Sequence, residues 1–231
     1  MTSPHQTSQD SFAASLRGFG PVGILAILVI VFSGNIVLPG MVLIPVGAIL
    51  ALLWVRYSHT PWREIGYVKP KSWRLTVAIG LVTGVALKFF AKAIVLPLFG
   101  ADPINHAYHF LAGNTAMLPT AAFSMLVAGF AEETVFRGFL FERLGKLFGK
   151  SISATLLILF LTSALFALGH LYDQGVTGAI QAAITGLVFG SIYSITRNLW
   201  MAMIAHAAFD LTALAIIYLN LETSVAHLLF K

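Results

Sequence analysis

Two adjacent carboxylates and an arginine lie inside a segment that otherwise consists of apolar residues. Glu132 and Glu133 follow the apolar run 117–130. Arg137 comes four residues after Glu133, and further apolar residues surround it. Burying an ionised side chain in lipid costs about 2.5–3.5 kcal/mol on insertion scales. Three such groups so close together therefore need partners, a polar cavity or a catalytic function.

Helical spacing separates the two carboxylates. Glu133 and Arg137 share one helix face, which predicts a structural ion pair. Glu132 is rotated from Glu133 by about 100°, and the residue on its own face is Phe136. A buried carboxylate without a cation favours its neutral form, which suits a general acid or base. The alternative for Glu132 is a hydrogen-bonded structural carboxyl.

His170 ends a later apolar segment and can reach the level of Glu132. If the helix that carries Glu132 continues to about Lys150, an antiparallel hairpin with equal rise brings the two residues to similar depth. Apolar residues at helical spacing between charged ones predict this continuation. The alternative is that His170 is an interfacial group without a catalytic role.

His206 and Asp210 are four residues apart in the run LWMAMIAHAAFDLTA, so they share a helix face. Their distance from the preceding turn places them within about one helical turn of Glu132 in depth. We therefore expect Glu132, Glu133, His170, His206 and Asp210 to meet at one level. A purely structural pair, with Asp210 orienting His206, is the alternative.

Histidine and carboxylate side chains are also zinc ligands. If zinc is present, Glu132, His170 and His206 are its predicted ligands. The sequence contains no HExxH motif, the strongest sequence signal of such a site, and no cysteine. We expect no cofactor, with zinc as the alternative.

Five other polar residues have a simpler interpretation. Lys88 and Lys92 lie four apart in an apolar segment, where they snorkel to the interface, face a water-filled crevice, or act near the site. His106, Tyr108 and His109 are expected to be solvated residues of an outer loop.

The composition predicts a polytopic membrane protein. Hydrophobic residues make up 58% of the 231-residue chain, and charged residues make up 10%, against about 25% in a soluble domain. A net charge of +5 is attributed to cytoplasmic loops and not to nucleic-acid binding. The absence of cysteine excludes disulfides and thiol chemistry.

The predicted fold is an all-α transmembrane bundle of seven to eight membrane helices, since a span needs about 20 apolar residues. Pro39–Gly40 is the predicted turn between the first two spans. An eighth helix would come from the tail 220–231. The seven spans are 21–38, 41–55, 75–98, the segment that begins at 117 and passes through Arg137, 152–170, 176–196 and 199–219.

The distribution of Lys and Arg predicts the orientation of the chain. Loop 56–74 contains five of them, whereas loops 99–115 and 171–175 contain none. Because cytoplasmic loops carry the excess of positive charge, the N-terminus is predicted to be cytoplasmic. The polar segment 1–17 is expected to be disordered.

Three motifs, in this order, resemble those of the CAAX protease and bacteriocin-processing (CPBP, or Abi) family. They are Glu132-Glu133-x-x-x-Arg137, Phe166-x-x-x-His170 and His206-x-x-x-Asp210. The flanking sequences EETVFRGFLFERL and NLWMAMIAHAAFD also resemble the family. The resemblance covers about residues 63–214 and implies an all-helical intramembrane endopeptidase.

The resemblance also implies roles for the motif residues in a glutamate-type protease. Glu132 would activate water with help from His170. His206 and Asp210 would stabilise the oxyanion, and many family members have Asn where this chain has Asp210. An ionised Asp cannot donate a hydrogen bond, so we expect Asp210 to hold a protonated His206 as the donor. Glu133 and Arg137 would support this arrangement.

The predicted organisation is a cytoplasmic segment, 1–17, followed by a membrane-embedded CPBP-like peptidase domain, 18–231, with its motif core at 117–214. The expected partners are membrane lipid and a peptide or protein substrate, including a lipidated or membrane-associated one. The expected location is a bacterial plasma membrane. Two alternatives from other classes are a non-proteolytic scaffold or immunity protein and a proton-coupled transporter.

Overall fold

The structure is a computed structural model that describes residues 4–35 and 44–230. Over these ranges the chain is helical and contains no strand, which confirms the predicted all-α class. The helices are α1 (Pro4–Arg17), α2 (Pro21–Asn35), α3 (Ile44–Tyr57), α4 (Trp73–Phe90), α5 (Leu96–Leu98), α6 (Leu118–Glu133), α7 (Phe141–Phe148), α8 (Ile152–Thr196), α9 (Leu199–Tyr218) and α10 (Glu222–Ala226).

Three helices in the described residues are long and apolar enough to cross a membrane: Trp73–Leu98, Ile152–Thr196 and Leu199–Tyr218. A fourth is added if α1 and α2, which are bent by 62°, form one span. The prediction of seven to eight spans is therefore not confirmed. At 15, 14 and 16 residues, α2, α3 and α6 are shorter than the 20 or so that a span needs. The predicted turn at Pro39–Gly40 lies outside the described residues.

Helix α8 is a hairpin that reverses at Gly175. The backbone there has φ 63° and ψ −165°, which interrupts the helix. A Cβ added at Gly186 would lie 3.0 Å from the Cβ of Ser163, and one added at Gly190 would meet Leu159. Residue numbers fall along the first half of α8 as they rise along the second half, so the two halves pack antiparallel. They correspond to the fifth and sixth predicted spans.

The acidic stretch lies where a helix changes its winding. Helix α6 ends at Glu133, the π-helical turn Thr134–Leu140 follows, and α7 continues to Phe148. Gly149, with φ 90°, then ends the helix. The predicted continuation of this helix to about Lys150 is confirmed. π-Helical turns inside α-helices occur frequently at functional sites.

Helices α4 and α9 pack against each other through two glycines. A Cβ at Gly80 would lie 2.8 Å from Ile204 Cγ2, and one at Gly84 would lie 2.7 Å from Ala208 Cβ. Residue numbers increase in the same direction along both helices, so α4 and α9 run parallel. Small residues at such four-residue spacing let helix backbones approach closely. This approach brings α4 beside the helix that carries His206.

We expect Gly84→Ala to destabilise the protein by about 1–3 kcal/mol, because the added methyl group clashes with Ala208 and forces α4 and α9 apart. Gly145→Ala is the matched control. It lies in α7 with no described residue within 4 Å of the added Cβ, so Ala should raise stability by about 0.5–1 kcal/mol. Thermal unfolding of the purified variants measures both effects. Equal stability of the two variants would contradict the close approach.

The amino-terminal segment differs from its sequence-based expectation. Helix α1 covers Pro4–Arg17, where the composition predicts disorder. Its last turn is held by distant residues: Trp54 Nε1 donates to Leu16 O at 3.1 Å, and Arg143 Nη1 donates to Arg17 O at 2.6 Å. The sequence composition contains no sign of these long-range bonds, and they anchor the end of the helix.

Candidate active site

A cavity of about 500 Å³ lies between α6, α8, α9 and the loop that precedes α6. The four predicted catalytic residues all line it: Glu132, His170, His206 and Asp210. The structure thus brings together side chains from three helices, as the comparison of depths predicts.

His206 is at the centre of the acidic groups. Its Nδ1 lies 2.9 Å from Glu133 Oε1, within hydrogen-bond distance. Its Nε2 lies 3.6 Å from both Glu132 Oε2 and Asp210 Oδ2. The ring stacks on Phe189, with centroids 4.9 Å apart. One nitrogen is therefore held by Glu133, while the other faces two carboxylates without a hydrogen bond of normal length.

The predicted ion pair of Glu133 and Arg137 is confirmed. Arg137 Nη1 donates to Glu133 Oε1 at 2.8 Å, and neither side chain is exposed to solvent. Arg137 Nη2 also donates to the carbonyl of Gly186 at 3.0 Å. The pair therefore ties the acidic stretch to the second half of the α8 hairpin and fixes the carboxylate that holds His206.

The support of a protonated His206 by Asp210 stays a prediction, and the nearer partner of the ring is Glu133. Glu133 Oε1 accepts the hydrogen bond from His206 Nδ1 at 2.9 Å, whereas Asp210 lies 3.6 Å from the other nitrogen. Glu133 comes close because α6 and α9 approach at Gly129, where an added Cβ would lie 2.8 Å from Ala207 N. A glycine one turn before Glu133 was the only sequence signal of this approach.

His170 lines the same cavity without a direct bond to Glu132. Its Nδ1 lies 2.9 Å from the carbonyl oxygen of Phe166, and its ring packs edge-on against Phe166 at 4.5 Å. A carbonyl only accepts hydrogen bonds, so Nδ1 carries the proton. In the neutral ring, Nε2 is then an acceptor that can take a proton from water in the cavity.

Tyr108 lines the cavity, although the sequence predicts a solvated loop residue. Gln174 Nε2 donates to its hydroxyl at 3.4 Å. Burial raises the pKa of Tyr108 to about 12, with further contributions from Asp210 and Glu132. The hydroxyl therefore stays protonated and can donate a hydrogen bond into the cavity. Its neighbour His106 does remain largely exposed.

In the described part of the chain, no group of three or more His, Asp or Glu side chains is arranged to hold a metal ion. The alternative zinc ligands Glu132, His170 and His206 share the cavity without forming such a group. The zinc alternative stays a prediction that chelation can test.

The comparisons with known proteins bear on this cavity. Residues 114–212 match the family model described as type II CAAX prenyl endopeptidase, Rce1-like. The matched segment is therefore similar to the Rce1-like family. The family resemblance predicted from the three motifs is confirmed over these residues. This Rce1-like segment contains all six predicted site residues: Glu132, Glu133, Arg137, His170, His206 and Asp210.

The Rce1-like family consists of CAAX endopeptidases, which supports a hydrolase acting on peptides or proteins. Together with the long apolar helices, it also supports an integral membrane protein. Comparison with curated proteins gave no match, and comparison with solved structures gave none.

Proposed function

We propose that this protein is an intramembrane endopeptidase of the glutamate type, in which Glu132 and His170 activate the hydrolytic water. One observation carries the proposal: in a segment that matches a protease family, two acid–base groups from different helices line one cavity. Glu132 is only 6% exposed, and no Lys or Arg among the described residues forms an ion pair with it. It can therefore accept a proton from water, with Nε2 of His170 as a second acceptor.

His206 is the proposed donor to the tetrahedral oxyanion. Glu133 accepts from Nδ1, which leaves an Nε2 proton of the imidazolium to be donated. The 3.6 Å distances from Nε2 to Glu132 and Asp210 are longer than a hydrogen bond, so this proton is free for the substrate. Asp210 supports the positive charge of the ring. A single oxyanion donor contributes about 10²–10³-fold to a rate.

The proposed arrangement in the membrane follows the sequence-based orientation. The protein has seven to eight membrane helices in a bacterial plasma membrane, with the N-terminus in the cytoplasm. The loops rich in Lys and Arg then face the cytoplasm. The substrate is a peptide or protein, including a lipidated or membrane-associated one, because the cavity lies between helices of a protein that resembles CAAX endopeptidases.

Cleavage by the reconstituted protein tests this function. We expect the wild type in proteoliposomes to cut members of a mixed peptide pool, detected by mass spectrometry, and to keep its activity with a zinc chelator. His170→Ala should slow cleavage by about 10²–10⁴-fold, since it removes an acid–base group.

Three results would contradict the proposal in different ways. Activity that is lost with chelator and restored by zinc would favour the zinc-dependent peptidase. No cleavage by a folded wild type, with biological activity retained in all site variants, would favour a scaffold or immunity protein. Proton flux without cleavage would favour a transporter.

A further inference from the structure

Four residues spaced four apart form a stripe along α4 and the π-helical turn that follows it. The stripe consists of Gly80, Gly84, Lys88 and Lys92. The glycines contact α9, and the ammonium of Lys88 lies 4.8 Å from the centroid of the Phe209 ring on the same helix. The two lysines therefore continue the glycine face of the helix, and both are buried.

The two lysines are equally buried, at 5% exposure, but have different partners. Lys92 lies 3.7 Å from Glu222 and donates to the carbonyl of Pro103. Glu222 also accepts from Asn105 N at 2.8 Å. Lys92 is thus part of a compensated network that orders the outer loop.

Lys88 has no ion pair of this kind among the described residues. Its ammonium donates to Gln181 Oε1 at 2.9 Å and contacts the Phe209 ring. Among the described residues, no carboxylate lies within ion-pair distance of it. An ammonium has three donors, so two remain for a further partner. A buried charge without an opposite charge is costly, which argues against a purely structural role.

The position of Lys88 links it to the active site. It lines the 500 Å³ cavity and also a second cavity of about 210 Å³, which shares Gln181 and Asn105 with the first. The second cavity extends toward the loop that holds Asp102 and His106, and both of these side chains are more than half exposed. Lys88 therefore stands between the catalytic groups and the outer loop.

The distance to the catalytic groups matches a short stretch of peptide. Because α4 and α9 run parallel, and Gly84 faces Ala205 and Ala208, His206 lies at the level of Gly84. Lys88 is four residues further along, about 6 Å on the helix axis. An extended peptide covers this distance in about two residues.

We propose that Lys88 binds a carboxylate of the peptide substrate, about two residues from the bond that is cut; this rests on the proposed peptidase function. A carboxylate supplies both the missing charge and the missing hydrogen-bond acceptors. The bound group is a carboxylate in either case: the C-terminus of the peptide or the side chain of Asp or Glu.

The test compares four matched pools of acetylated hexapeptides. One has free carboxyl termini, one is amidated, one is amidated with a single Asp, and one is amidated with Asn in place of the Asp. Retention of each pool by the Glu132→Gln protein in nanodiscs is measured by mass spectrometry, so that binding is read without cleavage. We expect at least one carboxylate pool to bind about tenfold tighter than its neutral match.

Three further substitutions in the same background connect this selectivity to Lys88. Lys88→Met should abolish the preference, and Lys88→Arg should retain most of it because the charge remains. Lys92→Met is the matched control: it should lower the unfolding temperature, because Glu222 loses its ammonium partner, and leave the preference unchanged. If Lys88→Met fails to fold, the Arg variant and the four pools on the background protein still decide the question.

The outcomes separate this inference from the proposed function. Preference for free termini identifies a terminal carboxylate, and preference for the Asp pool identifies a side chain. Equal retention of all four pools overturns the inference, and so does a preference that Lys88→Met leaves intact. Cleavage of the pools by the wild type is scored separately. Selective binding without any cleavage would contradict the peptidase function and still support the carboxylate site.

Discussion

Glu132→Gln is expected to lower the rate of peptide cleavage by about 10²–10⁴-fold and to leave the fold intact. The amide has nearly the same size as the carboxylate but cannot accept the proton of the attacking water. Within residues 4–35 and 44–230, Glu132 has one close polar contact, at 3.6 Å to His206 Nε2, so its replacement breaks no short hydrogen bond there. The measurement is the cleavage rate at saturating peptide in proteoliposomes, alongside the unfolding temperature.

Glu64→Gln is the control for the loss of one carboxylate. Glu64 pairs with Lys146 at 2.9 Å, does not line the cavity, and has a side chain that is 34% exposed. An exposed pair of this kind contributes about 0–1 kcal/mol, so neither rate nor stability should change much. A Glu132→Gln protein that is folded and fully active would rule out Glu132 as the base.

Helical periodicity and depth predicted most of the candidate site. The four-residue spacing of Glu133 and Arg137 is sufficient to predict their ion pair, because both ends lie on one helix face. Depth along the helices placed Glu132, His170 and His206 at one level, and all three line the cavity. Such arguments need only the rise per residue and the position of turns.

Contacts that depend on the packing of one helix against another could not be predicted from spacing and depth along the helices. The bond from Glu133 to His206 requires α6 and α9 to touch at Gly129, and the loop position of Tyr108 depends on distant partners such as Gln174. Lys88 had three open interpretations, and only the neighbouring Phe209 and Gln181 place it at the cavity. Spacing along one helix does not contain this information.

The number of membrane spans is not confirmed, for a related reason. Hydropathy shows where a segment is apolar, but the ends of a helix depend on local backbone conformation and on packing. The apolar run before Glu132 forms a 16-residue helix that continues through charged residues, so length and composition do not identify it as a span. By contrast, Gly175 divides one 45-residue helix into two arms.

Arg137→Met is expected to destabilise the protein by about 3–5 kcal/mol, because it removes the guanidinium that pairs with the fully buried carboxylate of Glu133. It also removes the hydrogen bond to the Gly186 carbonyl that joins the stretch to α8. For a chain of this size the loss corresponds to a fall in unfolding temperature of about 6–20 °C. Cleavage should fall as well, since Glu133 positions His206.

The double variant Glu133→Gln/Arg137→Met distinguishes charge compensation from simple loss of packing. If the carboxylate that has lost its guanidinium is the source of the instability, removing its charge should recover part of the stability that Arg137→Met loses, as the buried charge is then gone. The double variant should nevertheless stay poorly active, because the neutral amide that replaces the Glu133 carboxylate no longer supports a positive charge on His206. A double variant whose losses simply add would show that the two residues act independently, and the pair would then be a matter of packing and not of electrostatics.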